Sequence, residues 1–426
     1  MKNKLYTALL RIKLRSRLWF KRVGLHLLGT IAALSGVAGM CVLIAAAVVA
    51  CGGGSNSAGV GSGGTGAFSA YTVGSVTGFG SIIVNDQRFD DSSAAVSDDD
   101  GARSRSDIKL GMVVRVQGSV DASGSGTASA IAFDSELLGP VAAVDSAGNA
   151  FTIIGQKVLV DANTVFDSST LPLGWGSVTA GMVLEVHGFL NTTTNTLQAT
   201  RIELQSQPRH YKISGQVSNL QVAARTLQIG AETISFAGLS SADAAAFSNG
   251  ALVKLRLEAR APSGAGLWSA IRLRANQDTP SDKAQAQLEG LVTAFASNAL
   301  FSVSGVPVDA SRANFTEGTA GLAVGTRVHV KGTLVSGTLV ASEVRLRESQ
   351  SKVITLEGAI SQLNSTAKTF VLRGSTVNYS AALPFDNGTE SQLEGPAPVI
   401  VEVKGQLDAS STLVNATRLK FKNDSK

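Results

Sequence analysis

Beyond residue 50 the chain holds three histidines, His187, His210 and His329. None stands at the spacing of a metal site or of a nucleophile–base pair. His187 and His329 fall on alternating segments, on the face expected to meet solvent, and His210 sits beside Arg209 between two such segments. The densest charge run is SDDDGARSRSD, 97–107. Its Asp98, Asp100, Gly101 and Asp107 match four positions of a calcium-binding loop, but Val96 occupies the first ligand position. We read the run as a polar loop between strands. The glycine-rich tracts lack the GxxxxGK[ST] phosphate cradle, and no GxSxG elbow is present. The sequence therefore points to no catalytic residue, no metal and no cofactor.

Two features suit binding rather than catalysis. Trp175, in LPLGWGS, could stack on a sugar or a partner, or plug the end of a barrel. Lys254, Arg256, Arg260, Arg272 and Arg274 cluster against Glu258 alone. On paired strands they could form a basic stripe facing an anionic polysaccharide or lipid head groups, or simply a solvated face.

Cys51 is the residue with the clearest chemistry. Eight Lys and Arg residues lie within 1–22, and residues 1–50 contain no acid. An uncharged apolar run from Leu25 to Ala50 follows, then VVACGGGSNS. A basic segment, an apolar run and small residues before a cysteine describe an export signal. The stretch Val48–Gly52 resembles the lipobox of bacterial lipoproteins, which implies a lipid on Cys51 and a cell-envelope location; Gly52 after the cysteine implies the outer membrane. An uncleaved anchor is the competing reading. The Gly/Ser tract that follows would tether the body about 20 Å from the lipid. Without the eight N-terminal charges, 29 basic residues face 32 acidic ones. A body of net charge −3 with 5% aromatics is a poor nucleic-acid binder.

The elements that must carry these residues repeat. GMVVRVQG (111–118), GMVLEVHG (181–188) and GTRVHVKG (325–332) alternate apolar and polar residues, with looser copies VKLRLEA (253–259) and VIVEVKG (399–405). Period two means strands with one buried face. In this frame the slot of His187 holds Gln117, Glu258, Lys331 and Lys404, and that of His329 holds Arg115, Glu185, Arg256 and Glu402. A hairpin precedes each copy, its tight turn expected at Asn85-Asp86, Gly155-Gln156, Gly230-Ala231, Gly305-Val306 and Gly374-Ser375. Opening glycines Gly74, Gly139, Gly215, Gly290 and Gly358 lie 65, 76, 75 and 68 residues apart. This gives an all-β chain of five tandem small barrels, OB-like with five or six strands each, since closure removes exposed edges. The expected divisions are a signal (1–50), a tether (51–69) and repeats at 70–136, 137–207, 208–281, 282–350 and 351–426. DAAAF (243–247) adds a helical turn in the third.

GFGSIIVNDQRFD (78–90), SDIKLGMVVRVQGSVD (106–121), ELLGPVAAVD (136–145) and GQKVLVDANTVFD (155–167) together resemble the bacterial domain of unknown function 5666. The resemblance is fullest in the first two repeats. It implies a secreted or lipid-anchored tandem barrel protein and carries no catalytic residues. The function expected is a non-enzymatic envelope scaffold or binding protein, held to the membrane through Cys51, with an envelope polysaccharide or protein as partner. One alternative is an envelope enzyme with a carboxylate site between barrels, near Asp161 and Glu185. The other is an OB-type binder of an anionic polymer.

Overall fold

The computed structural model describes residues 67–260, 266–274, 282–347, 353–379, 383–396, 398–408 and 410–422. The signal segment, Cys51 and most of the tether lie outside the described residues, as do 275–281 and 348–352.

The first repeat shows the plan. Its first strand, Phe68–Phe79, pairs antiparallel with the second, Ile82–Val84, which pairs with the third, Gln87–Asp90. The third runs parallel to the fifth, Gly126–Phe133. The fifth pairs with the fourth, Val113–Val120, and the fourth returns to the first. The order 1-2-3-5-4-1 closes a five-stranded barrel, so the ladder has no free edge. The same circuit closes in the other four repeats, at 137–204, 210–274, 283–346 and 354–421. The fold is all-β tandem barrels, as the alternation implies.

Alternation sets the cores. Val114 and Val116 face inward onto Val76, Ile82, Phe89 and Ile131 in the first barrel. Leu184 and Val186 do the same in the second, at 0% exposure. The short crossover before the fourth strand is a two-residue strand parallel to the fifth in the second, fourth and fifth repeats. The third repeat has the helix Ser241–Ala245 there instead, capped by Ser240. The first repeat extends this element into a hairpin, Ala95–Asp98 with Gly101–Arg103.

Two glycines recur for steric reasons. A Cβ on the opening Gly74 or Gly290 would lie 2.3 Å from Asn85 Oδ1 or 2.1 Å from Ser304 Oγ, because the hairpin turn folds over that glycine. A Cβ on Gly118 or Gly332, which lie inside the fourth strand, would lie 1.9 or 2.0 Å from the carbonyl oxygen of Thr127 or Val340. Here the fourth strand bulges against the fifth.

Two details of the sequence reading change. In three hairpins the turn lies one residue earlier, at Ile154-Gly155, Ser304-Gly305 and Arg373-Gly374, with both residues at positive φ. That is a type I′ turn with glycine second, the twist that suits a two-residue hairpin. The second change is in the frame of the third repeat. Gly215 pairs with Val253 as Gly74 pairs with Val114 and Gly290 with Val328. The slot of His187 is therefore held by Arg256, not Glu258, and that of His329 by Lys254, not Arg256.

The five described barrels belong to one compact unit. The first strand of repeat 1 runs parallel to the first strand of repeat 4 from Ala70↔Gln285 to Val73↔Leu288, and its end meets repeat 5 at Gly78↔Thr355. Repeats 2 and 3 meet through their own first strands at Leu138↔Lys212 and share one apolar core.

Candidate functional site

The side-by-side packing decides where the polar slots point. At His187, Arg256 and His329 the outward face of the fourth strand is covered by neighbouring structure, whereas Gln117 and Lys404 in the matching slots stay exposed. His187 and His329 are 2% and 1% exposed, which corrects their assignment to a solvated face. His187 Nδ1 lies 3.1 Å from the carbonyl oxygen of Asp134. A carbonyl only accepts, so Nδ1 carries the proton and donates. Burial lowers the pKa of His187 and, in His329, takes it down to about 3. Both rings are neutral at physiological pH. His210 is half-buried, and its pKa is also lowered by burial.

The basic stripe is likewise divided. Lys254 and Arg256 are turned into the junction of repeats 1, 2 and 3. Lys254 Nζ lies 2.8 Å from Asp134 and 3.1 Å from Glu136. Burial lowers the Lys254 pKa, but Glu136 and Asp134 outweigh it, so the ammonium is held above its usual range. Arg256 Nη2 lies 2.8 Å from Asp99 Oδ2 and donates to the Asp99 carbonyl at 2.9 Å, while Nη1 lies 2.7 Å from Asp100. Arg274 is partly buried, 3.5 Å from Asp99. Only Arg260, paired with Glu258, and Arg272 remain exposed. A continuous surface stripe does not exist, because three of its five cations neutralise acids between barrels.

The sequence supplied no signal for the acid at the centre of this junction. Asp99 stands at the tip of the hairpin in the first repeat, and its side chain is 1% exposed. It faces Lys212 Nζ at 3.1 Å as well as Arg256. Lys212 also reaches Asp134 at 3.1 Å and Glu185 at 3.9 Å. The acids Asp98, Asp99 and Asp100 bring carboxylate oxygens within 4.8 Å of one another. Arg103, Lys212 and Arg256 already supply the positive charge a cation would bring there. The hairpin tip is an ion-pair hub joining three barrels.

Repeats 2 and 3 carry opposite charges at matching positions. Three residues before the opening glycine stand Glu136 and Lys212; in the fourth strand stand Glu185 and Lys254. Glu136 meets Lys254 and Glu185 meets Lys212. Each position contacts its counterpart reciprocally, as in a two-fold interface. Burial raises the pKa of Glu136, yet Lys254 more than offsets it and the group stays ionised.

The remaining candidates are local. Trp175 lies in the 3₁₀ turn Gly174–Ser177, half-buried, its ring 6.0 Å from that of Phe151. It packs on the core of the second barrel, which fits a plug. Asp161 accepts from the backbone of Asn163 and from Thr164 in its own loop. Glu185 accepts from Gln205 and faces Lys212. Among the described residues the two acids have different partners and form no carboxylate pair.

A cavity of about 390 Å³ opens where repeats 1, 2, 3 and 4 meet, lined by both apolar and charged side chains. A smaller one of about 270 Å³ lies beside Glu185, His187, His210 and Lys212.

No curated protein and no solved structure matches the chain. The family model described as Domain of unknown function (DUF5666) matches four times, at 72–132, 139–203, 289–345 and 357–420. The matches cover repeats 1, 2, 4 and 5, so the likeness does not fade steadily along the chain. The unmatched third repeat is the one with Leu257 in place of the glycine at the bulge and a helix in its crossover. With four matched repeats covering more than half of its length, the chain belongs to the DUF5666 family.

Proposed function

We propose that the protein is a non-catalytic, lipid-anchored component of the bacterial cell envelope, its five barrels serving as one binding scaffold. The observation that carries this reading is the fate of the outward slots. Glu185, Lys254 and Arg256 in these slots pair with Lys212, Glu136 and Asp99 from barrel to barrel instead of converging on a reacting centre. Such groups add rigidity and fix orientation. An envelope enzyme has less support: burial raises the Glu185 pKa, but the Lys212 ammonium and hydrogen bonds from Ser135 and Gln205 help hold it below its usual range. A general acid needs the opposite shift. Binding of an anionic polymer loses the cations that the junction consumes.

The test is metabolic labelling of the producing cells with an alkynyl fatty acid, followed by density fractionation. The protein is expected to take up label and to band with the outer membrane. Cys51→Ser should remove the label and shift the protein out of that band. Label that survives Cys51→Ser would overturn the anchor.

A further inference from the structure

The cavity between repeats 1 to 4 contains two hydrogen-bond donors that the fold does not use. Tyr71 and Arg115 project from adjacent strands of the first barrel, on the face that looks away from its core. Tyr71 pairs with Gln117 and Val73 with Arg115, so Tyr71 and Arg115 are diagonal neighbours. Diagonal pairs lie within reach of long side chains. Among the described residues neither the Tyr71 hydroxyl nor the Arg115 guanidinium has a hydrogen bond or ion pair. That contrasts with the same slot in repeats 2 and 3, where Glu185 and Lys254 are engaged. Arg115 is partly buried, and Tyr71 is 8% exposed. Neither the hydroxyl nor the guanidinium is among the sealed, partnerless polar atoms, so both stay open to a ligand in the cavity.

The rest of the wall sets the character of that occupant. Phe189 and Leu190 of repeat 2 and Val306 of repeat 4 give an apolar side. The acids Asp134 and Glu136 also line the cavity; Lys254 pairs with both, and Lys212 pairs with Asp134 as well. The cavity therefore offers two donors without hydrogen-bond partners at one end and an apolar surface at the other. A volume of 390 Å³ is at the small end of ligand pockets. At roughly 30 Å³ per water-sized unit it admits about twelve non-hydrogen atoms.

We propose that this cavity binds a small organic monoanion, a carboxylate on an aliphatic body of about ten carbons, through Arg115 and Tyr71. The guanidinium meets the carboxylate in a bidentate pair and the phenol donates to one of its oxygens. A monoanion fits better than a phosphate dianion, because Asp134 and Glu136 stand in the same wall and would repel the second charge. Arg115 also stabilises the phenolate of Tyr71, although burial dominates and keeps the phenol protonated as a donor. This goes beyond the scaffold reading and stands apart from the lipid on Cys51.

The test is titration of the full chain in nanodiscs with 10-fluorodecanoate, followed by ¹⁹F NMR, with empty nanodiscs as baseline. Saturable binding at one site per chain is expected. Arg115→Gln should weaken it at least tenfold while leaving binding of fluorodecanol unchanged. Tyr71→Phe should weaken decanoate severalfold. Val306→Trp, which fills the apolar side, should abolish binding of both. Absence of saturable binding to the native chain, or an unchanged affinity in Arg115→Gln, would overturn the site. Tighter binding of decyl phosphate than of decanoate would overturn the carboxylate assignment. None of these outcomes bears on lipidation at Cys51.

Discussion

Replacing Asp99 by alanine should damage the molecule far more than replacing Asp100, one residue away. Asp99 is 1% exposed and Asp100 is 38% exposed. At an effective dielectric of about 20, a contact near 3 Å is worth roughly 5 kcal/mol before desolvation is subtracted. Asp99 makes two such contacts, at 3.1 Å with Lys212 and 2.8 Å with Arg256. Much of that gain offsets the dehydration of three ions. Truncating one partner does not recover the dehydration of the others, and broken buried pairs cost about 3–5 kcal/mol. Asp99→Ala leaves Arg256 with only the half-exposed Asp100, so the full range applies. Asp100→Ala leaves Arg256 paired with the buried acid and should cost about 1 kcal/mol or less. Urea unfolding of the full chain measures both. Hydrogen exchange should show lost protection in Leu252–Glu258 and Trp268–Arg274, the strands that carry the cations. A double variant, Asp99→Ala with Arg256→Met, should regain part of the loss, since it removes the orphaned charge. If Asp99→Ala costs no more than Asp100→Ala, the junction is not what holds repeat 1 to repeat 3.

Gly332→Ala should cost at least about 3 kcal/mol, because its Cβ would meet the Val340 carbonyl at 2.0 Å. Gly337→Ala, at φ 78° with open space around it, should cost only about 1 kcal/mol in left-handed strain; equal melting temperatures for the two would refute the steric account. Lowering the pH should destabilise the protein through His329. Its unfolded imidazole takes up a proton near 6.5 and the folded one only near 3. Between those values the unfolded state binds more protons, so stability is complete above pH 6.5 and falls as pH drops. The loss is at most about 3 kcal/mol by pH 4.5. His329→Gln should flatten the dependence of the urea midpoint on pH in that window, and an unchanged slope would place the titration elsewhere.

Strands, repeats and barrel closure were legible because period-two alternation and flanking glycines are local signals. Val186 faces inward as the alternation requires. The third repeat slipped by two residues for an equally local reason. Leu257 stands where the other copies have glycine, so the pattern VKLRLEA lacked its anchor. The junction was hidden for a different reason. Alternation separates two faces but does not say what covers the second one. His187, Arg256 and Lys254 looked like a solvated face because any polar residue seemed tolerated there. At these three positions a neighbouring repeat covers the slot, while Gln117 and Lys404 keep the solvated face. Asp99 sat within a run of acids that reads as an exposed loop, and only the tertiary arrangement reveals that its tip is buried.

The reciprocal bridges between repeats 2 and 3 have a consequence for how the chain recognises itself. Repeat 2 presents acid at both matching positions and repeat 3 presents base at both. Two copies of repeat 2 brought together the same way would set glutamate against glutamate, and two copies of repeat 3 lysine against lysine. Each barrel thus repels its own kind and accepts only the other. Exchange between molecules could satisfy the same rule, but the segment from Leu204 to His210 is only a few residues long. It holds the right partner at a local concentration that no neighbouring molecule reaches. Had the repeats kept the identical sequences of a fresh duplication, this sorting would be impossible. Their divergence at these slots gives the barrels a fixed seating order.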